Sequence, residues 1–185
     1  MLTQAEERLR LLTDVSSLLA SSLDHHITLQ EIAYLLVPTQ ADYCRIALVD
    51  EQQQIKEVTV NHTDPEKNDL VLALYEQYKD LPQTTYGLPK LLNTGKPELI
   101  SDVSENVLAM YQDSPGLLAV LQALGLKSYM GVPMLAHGKT IGAIILSSIQ
   151  AGRHYAEDDL LFAQEIAQRI ALALDNARLY REAHA

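Results

Sequence analysis

The sequence is short of cysteine and of long apolar runs, and each of these shortages excludes a class of protein. One cysteine among 185 residues cannot form a disulfide within the chain, which is typical of a reducing compartment. The longest apolar run, around residues 141–146, is far shorter than the roughly 20 residues that span a bilayer. Glu6, Glu7 and Arg8 stand where a signal peptide needs an apolar segment. We therefore expect a cytoplasmic protein without membrane insertion.

Positive charge is also scarce. The chain has 14 Lys and Arg residues against 24 Asp and Glu residues, a formal net charge of −10. A surface of this sign repels nucleic-acid phosphates and anionic lipids, so we expect no nucleic-acid partner. What the chain does have is apolar residues, at 48% of 185, which is enough for one sizeable core. A single domain is the default expectation at this length.

Residues spaced three and four apart predict a helix at each end of the chain. The first stripe is Leu2, Ala5, Leu9, Leu12, Ser16, Leu19 and Leu23, and the second is Ala163, Ile166, Ile170, Ala173, Ala177 and Tyr180. Two interpretations fit these stripes: packing onto the chain's own sheet, or the seam of a parallel homodimer. For the second, the interface is predicted at Leu9, Leu12, Leu19, Leu23, Ile170, Ala173 and Ala177.

The middle of the chain mixes strands and short helices. Strands are predicted at residues 43–50, around 58–60, and at 98–101, 127–136 and 140–149, with a tight hairpin at residues 137–139. A capping box at Thr28 and Glu31 predicts the start of one helix, and Asp64-Pro65 predicts the start of another. The predicted fold class is α+β: a central antiparallel β-sheet with helices on both faces, and with the N- and C-terminal helices packed together.

Several segments resemble the core of the GAF domain family. The segments 129–134 (Tyr-Met-Gly-Val-Pro-Met) and 141–146 (Ile-Gly-Ala-Ile-Ile-Leu), joined by His137-Gly-Lys139, are similar to the family's strand–loop–strand unit. Residues 158–180 look like its final helix, and residues 29–44 fit its beginning. The resemblance covers nearly the whole chain and implies a GAF/PAS-like fold. The chain is similar to those GAF domains that are placed ahead of kinase or phosphatase modules in bacterial sensors.

The resemblance implies a domain organisation and a role. Residues 1–25 would be an N-terminal signalling and dimerisation helix, 26–155 the GAF core, and 156–185 a C-terminal helix leading to an output module outside this chain. That module is expected to be a kinase, with the chain as the regulatory region of a sensor histidine kinase in a two-component system. The expected partners are a second copy of the chain and an unknown small molecule.

The residues needed for the family's known chemistries are missing. Cyclic-nucleotide binding in this family requires an Asn-Lys…Phe…Asp-Glu motif, whereas the chain has one phenylalanine and no Asn-Lys pair. Bilin attachment requires a cysteine in the helical segment before the last hairpin, and no cysteine follows Cys44. The family's methionine-sulfoxide reductases use several cysteines, and a single one cannot form and resolve a disulfide. The histidines are scattered at predicted turns and ends: His25, His26, His62, His137, His154 and His184. We expect no cofactor, no metal and no catalysis.

The candidate ligand-binding residues are Arg45, Tyr86, Tyr111, Tyr129 and Ser147. The three tyrosines suit a partly polar cavity, and equally suit a helix surface. Arg45 interrupts an apolar strand, so its charge must reach a ligand anion, a carboxylate or solvent at a sheet edge. Ser147 either faces the ligand or makes room for a neighbouring helix. Two functions follow, a ligand-responsive sensor or a ligand-free dimerisation module.

Overall fold

The structure is a computed structural model that describes residues 3–22, 24–78 and 86–184, and their side chains except at 74–78. Leu2 and Leu23 of the predicted seam lie outside the described residues. The helices are α1 (Gln4–Ser21), α2 (His25–Leu36), α3 (Asn68–Tyr78), α4 (Leu88–Thr94), α5 (Glu105–Leu108), α6 (Pro115–Leu124) and α7 (Glu157–Ala183). The strands are β1 (Tyr43–Val49), β2 (Ile55–His62), β3 (Glu98–Ile100), β4 (Ser128–Ala136) and β5 (Lys139–Ser148).

The five strands form one antiparallel sheet in the order β2-β1-β5-β4-β3. The β4–β5 hairpin turns through His137 at φ 52° and Gly138 at φ 74°. Two successive residues with positive φ match the right-handed twist of the flanking strands, which is why a two-residue turn suffices here. The predicted hairpin and the predicted α+β fold class, with helices on both faces, are confirmed.

Each face of the sheet has its own apolar core. One core contains Ile46 of β1 and Met130 of β4 and packs against α1, α2 and α7. The other contains Tyr43 of β1 and Tyr129 of β4 and packs against α3, α4 and α6. All seven residues of β1 are buried, because the strand is internal and covered on both sides.

Helix α2 begins three residues before the predicted capping box. Its N-cap is Asp24, whose carboxylate accepts hydrogen bonds from the backbone N–H groups of His26 and Ile27 at 3.1 and 3.4 Å. Thr28 instead lies inside the helix and donates its hydroxyl to the carbonyl of Asp24. Both Asp24 and Thr28 are good caps, and the earlier one has the free N–H groups of the first turn within reach. The prediction of a start at Thr28 was wrong.

The terminal helices pack side by side and run in the same direction. Near the start of both, the Arg8 guanidinium binds Asp159 and lies 5.0 Å from the ring centroid of Phe162. Further along both, Arg169 donates to the Ser16 hydroxyl at 2.7 Å. The prediction that the N- and C-terminal helices pack together is confirmed.

The predicted seam residues divide between the core and the surface. Leu12 is 8% exposed and Ile170 is fully buried, and both belong to the core beneath the sheet. Leu19 is partly buried against that core, and Ala173 and Ala177 are half-buried. Leu9 is 67% exposed. Leu12 and Ile170 are therefore occupied within the chain and are not part of an exposed seam.

Candidate functional site

A pocket opens between the β3–β4 edge of the sheet and the segment containing α5 and α6. It encloses about 330 Å³, including the space that opens to solvent. Its walls are Tyr86, Ile100, Val103, Val107, Leu108, Tyr111, Leu121, Leu126 and Tyr129. Six aliphatic side chains and three tyrosines make a mostly apolar site with a few hydroxyls, which is the usual composition of a small-molecule pocket.

The pocket contains all three tyrosines predicted from the sequence, brought together from distant parts of the chain. The Tyr111 hydroxyl donates to the carbonyl of Tyr86 at 3.2 Å. The Lys90 ammonium lies 4.9 Å from the ring centroid of Tyr86, within cation–π range. Tyr111 thus connects the segment after α5 to the chain just before α4, and Lys90 holds the Tyr86 ring from the α4 side.

Glu98, a buried carboxyl at the start of β3, adjoins this pocket. It is 7% exposed. Its Oε2 accepts hydrogen bonds from the N–H of Gly87 at 3.1 Å and from the Tyr129 hydroxyl at 3.3 Å. Its Oε1 is buried and has no hydrogen-bond partner in the part of the chain that the structure describes. Loss of hydration raises the pKa of Glu98 to about 7, although the Gly87 N–H, Lys90 and Tyr129 act in the opposite direction.

Sequence reasoning missed Glu98. The signal was the period-two alternation within β3, which places Glu98 and Ile100 on the same face of the sheet. Ile100 lines the pocket, so the acidic residue two positions earlier faces the same side. Assigning that face to the pocket required the strand order, which the sequence alone does not provide.

Gly131 leaves the room that the Tyr129 hydroxyl occupies. A Cβ at Gly131 would lie 2.8 Å from the Tyr129 hydroxyl oxygen and 2.6 Å from the Leu91 Cδ1. Glycine therefore allows the tyrosine to lie along its own strand and reach Glu98, which is opposite Gly131 in the β3–β4 register.

Arg45 and Ser147 lie on the same face of the sheet but do not line this pocket. Arg45 is 2% exposed in an internal strand, so the interpretation that it reaches solvent at a sheet edge was wrong. Ser147 is fully buried beside Tyr43, its cross-strand neighbour. Tyr43 also stacks on His62, with 6.0 Å between ring centroids.

The local environment favours the neutral forms of Tyr43 and His62. Burial raises the pKa of the Tyr43 phenol, against the opposing charge of Arg45. Burial, followed by the charge of Lys67, lowers the pKa of His62. Its Nδ1 accepts a hydrogen bond from the backbone N–H of Asp64 at 2.8 Å, so the ring proton is on Nε2.

The lone cysteine is inside the opposite core. Cys44 is fully buried, and loss of hydration raises the pKa of its thiol to about 12. Within the described ranges, no three His, Cys, Asp or Glu side chains converge as a metal site would require. No described helix is long and apolar enough to cross a membrane.

The profile of the GAF domain family matches residues 24–174, which include every strand and most of α7. The chain belongs to the GAF domain family. The resemblance seen in the β4–β5 hairpin and the final helix is confirmed.

Solved GAF structures share this fold at low sequence identity. The GAF domain of a phosphoenolpyruvate-protein phosphotransferase from Coxiella burnetii is 15% identical, with a TM-score of 0.67 over 97% of this chain and 99% of that one. A domain of a putative two-component sensor histidine kinase from Sinorhizobium meliloti is 15% identical, with a TM-score of 0.59 over 89% and 100%.

The same fold also occurs in enzymes. The free methionine-R-sulfoxide reductase from Neisseria meningitidis, solved in complex with its substrate, is 17% identical, with a TM-score of 0.67 over 95% of this chain and 92% of that one. The GAF fold is thus common to sensor, phosphotransferase and reductase proteins, and the assignment of function must rest on this chain's own residues.

Proposed function

We propose that this GAF domain is the sensory region of a bacterial signal-transduction protein, a sensor histidine kinase, and that it binds a small molecule in the tyrosine-lined pocket. The observation that supports this is the convergence of Tyr86, Tyr111 and Tyr129 on one mostly apolar pocket. Their hydroxyl and carbonyl groups can form directional hydrogen bonds with a ligand, and the aliphatic walls provide apolar surface for the ligand to bury.

A path from the pocket to the C-terminal helix runs through β4. Tyr129 contributes to the pocket, and the next residue, Met130, belongs to the core on the opposite face of the sheet. That core also contains Ile166 and Ile170 of α7. A ligand that moves Tyr129 would thus displace the strand on which α7 packs, and α7 would relay the change to an output module.

A regulatory rather than an enzymatic role is part of the proposal. The chain has one thiol, and with a pKa of about 12 it is neither ionised nor accessible at neutral pH. The described residues that line the pocket are tyrosines and aliphatic residues, with no serine, cysteine or lysine nucleophile and no metal ligand set among them. We propose that the domain acts in the cytoplasm, without a cofactor, metal or nucleic acid.

The proposed dimer is parallel and uses the exposed side of the terminal helices. Leu161, Leu172 and Leu179 lie on one line along α7 at intervals of 11 and 7 residues, and all three are exposed. Leu9 of α1 is at the level of Leu161, because the neighbouring Arg8 contacts Asp159 and Phe162. A second copy would bury this line. Ala173 and Ala177 lie about 100–160° around α7 from it, towards the face that packs on the core, so they are not part of this interface.

A metabolite screen by thermal unfolding tests the sensory role. A ligand at one hundred times its dissociation constant should stabilise the fold by about 2.7 kcal/mol, which is roughly 5–10 °C for a chain of this size. Tyr111→Phe, which removes a pocket hydroxyl, should weaken binding of the hit, whereas Tyr34→Phe at an exposed position should not. A broad screen without any shift of this size would instead support a ligand-free dimerisation module.

A further inference from the structure

Glu98 adjoins the wall of the pocket at its β3 end, as two hydrogen bonds and its position in β3 indicate. Its Oε2 accepts from the hydroxyl of Tyr129, which lines the pocket. The same oxygen accepts from the N–H of Gly87, the residue after the pocket residue Tyr86. Ile100, two residues along β3 on the same face, is itself part of the wall.

The second oxygen of this carboxyl is unsatisfied. Among the described residues, the buried Oε1 accepts no hydrogen bond and Lys90 forms no ion pair with Glu98, although the charge of Lys90 lowers the Glu98 pKa. The ammonium of Lys90 lies over the Tyr86 ring instead. A buried carboxyl oxygen without a donor costs free energy, and a ligand that supplies the donor recovers it.

We propose that the pocket binds a small, largely apolar amine, whose ammonium group donates to Glu98 while its apolar body lies among the aliphatic and tyrosine walls. This rests on the proposed ligand-binding role and specifies the class of ligand. An ammonium group donates hydrogen bonds and carries a positive charge. It therefore supplies Oε1 with a donor and at the same time stabilises the ionised form of the carboxyl. A carboxylate ligand would be repelled, and a neutral alcohol would offer a weaker donor.

Phenethylamine, 2-phenylethanol and phenylacetate, which share an aromatic body, test the proposal on the full chain. Binding is measured by titration calorimetry at pH 8. We expect phenethylamine to bind about tenfold or more tightly than 2-phenylethanol, and phenylacetate to bind least. Equal affinity for the amine and the alcohol, or tighter binding of phenylacetate, overturns the amine proposal and leaves the sensory role standing. Absence of binding by all three also overturns it, whereas the sensory role depends on the metabolite screen.

Glu98→Gln and the matched control Glu105→Gln locate the contact. Glu105 is an exposed residue of α5, the helix that lies along the same pocket. Glu98→Gln should reduce amine affinity about tenfold and leave alcohol affinity unchanged, and Glu105→Gln should change neither. If Glu98→Gln binds the amine as tightly as the unmodified chain, the ammonium does not contact Glu98 and the proposal is overturned.

The pH profile gives an independent measure of the same contact. The titratable or charged groups of the described residues that act on Glu98 are Tyr129 of β4 and Lys90 of α4. Because the Glu98 pKa is about 7, amine affinity should rise about tenfold between pH 6 and pH 8. A flat profile contradicts the proposal.

If Glu98→Gln does not fold, Tyr129→Phe provides the readout. Removing the Tyr129 hydroxyl takes away a donor that favours the ionised carboxyl, so the Glu98 pKa rises. The midpoint of the affinity profile should then move to higher pH. An unmoved midpoint would show that another group controls binding, and the proposal would fail.

Discussion

The imidazole of His137, at the tip of the β4–β5 hairpin, lies 2.7 Å from the carboxylate of Asp175 in α7, measured from Nε2 to Oδ2. Asp175 is 6% exposed and also accepts from Arg178, with Nη2 3.0 Å from Oδ1. The contact joins the sheet to the point on α7 after which most residues are exposed. It links the tip of the hairpin to α7 where the buried part of the helix ends.

The first prediction concerns this junction. The hydrogen bond from Arg178, followed by that from His137, lowers the pKa of Asp175 below its ordinary value. The ionised carboxylate therefore stabilises the fold above its unfolded pKa, and this contribution is lost as the pH falls through the lower, folded pKa. Asp175→Asn should lower the melting temperature at pH 7, by a margin that shrinks below about pH 4.

Glu182→Gln is the matched control for Asp175→Asn. Glu182 also pairs with Arg178, at 2.8 Å, but it is exposed. Its loss should change the melting temperature little, because exposed pairs contribute roughly 0–1 kcal/mol. Equal effects of the two variants in thermal unfolding would show that the contacts of Asp175 with His137 and Arg178 stabilise the fold no more than the exposed pair does.

The second prediction concerns Glu98, whose contribution to the stability of the fold should depend on pH in the sense opposite to that of Asp175. Its folded pKa of about 7 is above the ordinary value of 4.5, so the native state retains a proton that the unfolded chain releases. Stability therefore falls as the pH rises from about 4.5 to about 7. Glu98→Gln removes this dependence and should be more stable than the unmodified chain at pH 8, by roughly 1–3 kcal/mol. Denaturant unfolding at pH 5 and pH 8 measures it, and a constant difference would contradict the assigned pKa.

A third prediction follows from the position of Cys44. A fully buried thiol with a pKa of about 12 should not react with a disulfide reagent at pH 8 in the native protein, and should react at once in denaturant. With dithiobis(nitrobenzoate) as the reagent, the absorbance of released thionitrobenzoate measures the reaction of Cys44 in the native and in the denatured protein. Rapid labelling of the native protein would mean that β1 is open to solvent.

The fourth prediction compares two glycines. A Cβ at Gly142 of β5 would fall on the carbonyl oxygen of Ala47 in β1 and lie 2.5 Å from the Met134 Cε. Backbone cannot give way as a side chain does, so Gly142→Ala should destabilise the fold by about 1–3 kcal/mol or more. Gly152→Ala, with nothing within 4 Å of its Cβ, should stay within about 0.5 kcal/mol. Chemical denaturation of both variants decides it.

The fifth prediction separates the core from the proposed dimer interface. Leu12→Glu places a carboxylate in the core and should unfold the domain, because an unpaired buried charge costs several kcal/mol. Leu9→Glu combined with Leu172→Glu changes exposed positions, and should leave circular dichroism unchanged while sedimentation shows a monomer. A dimer that persists in the double variant would move the interface elsewhere.

The sequence predicts most clearly those elements whose local pattern has one physical solution. A two-residue turn between β-rich runs at His137 and Gly138 forces a hairpin, and residues spaced three and four apart force a helix. The same spacing does not say what a helical face contacts, so Leu9 and Leu12 cannot be separated by it. Their different burial depends on the packing of α1 against α7 and the sheet.

The candidate site is predictable only in part for a related reason. Tyrosine offers both an apolar ring and a hydroxyl, and Tyr86, Tyr111 and Tyr129 fit a partly polar cavity, where the structure places them. Arg45 could not be placed from its strand alone, because its burial follows from the pairing of β1 between β2 and β5. Glu98 depends on the pairing of β3 with β4, a contact between residues about 31 positions apart.

The parallel arrangement of α1 and α7 sets the polarity of the domain. Because both helices run in the same direction, Gln4 and Ala183 are at opposite poles of the pair. Helix α7 continues past Asp175 for a further ~12 Å, at about 1.5 Å per residue. A rotation imposed on its buried half would turn this free stretch through the same angle, away from the pole where α1 begins. In the relay proposed above, motion would therefore enter through the sheet and leave along the axis of α7, at the pole opposite the start of α1.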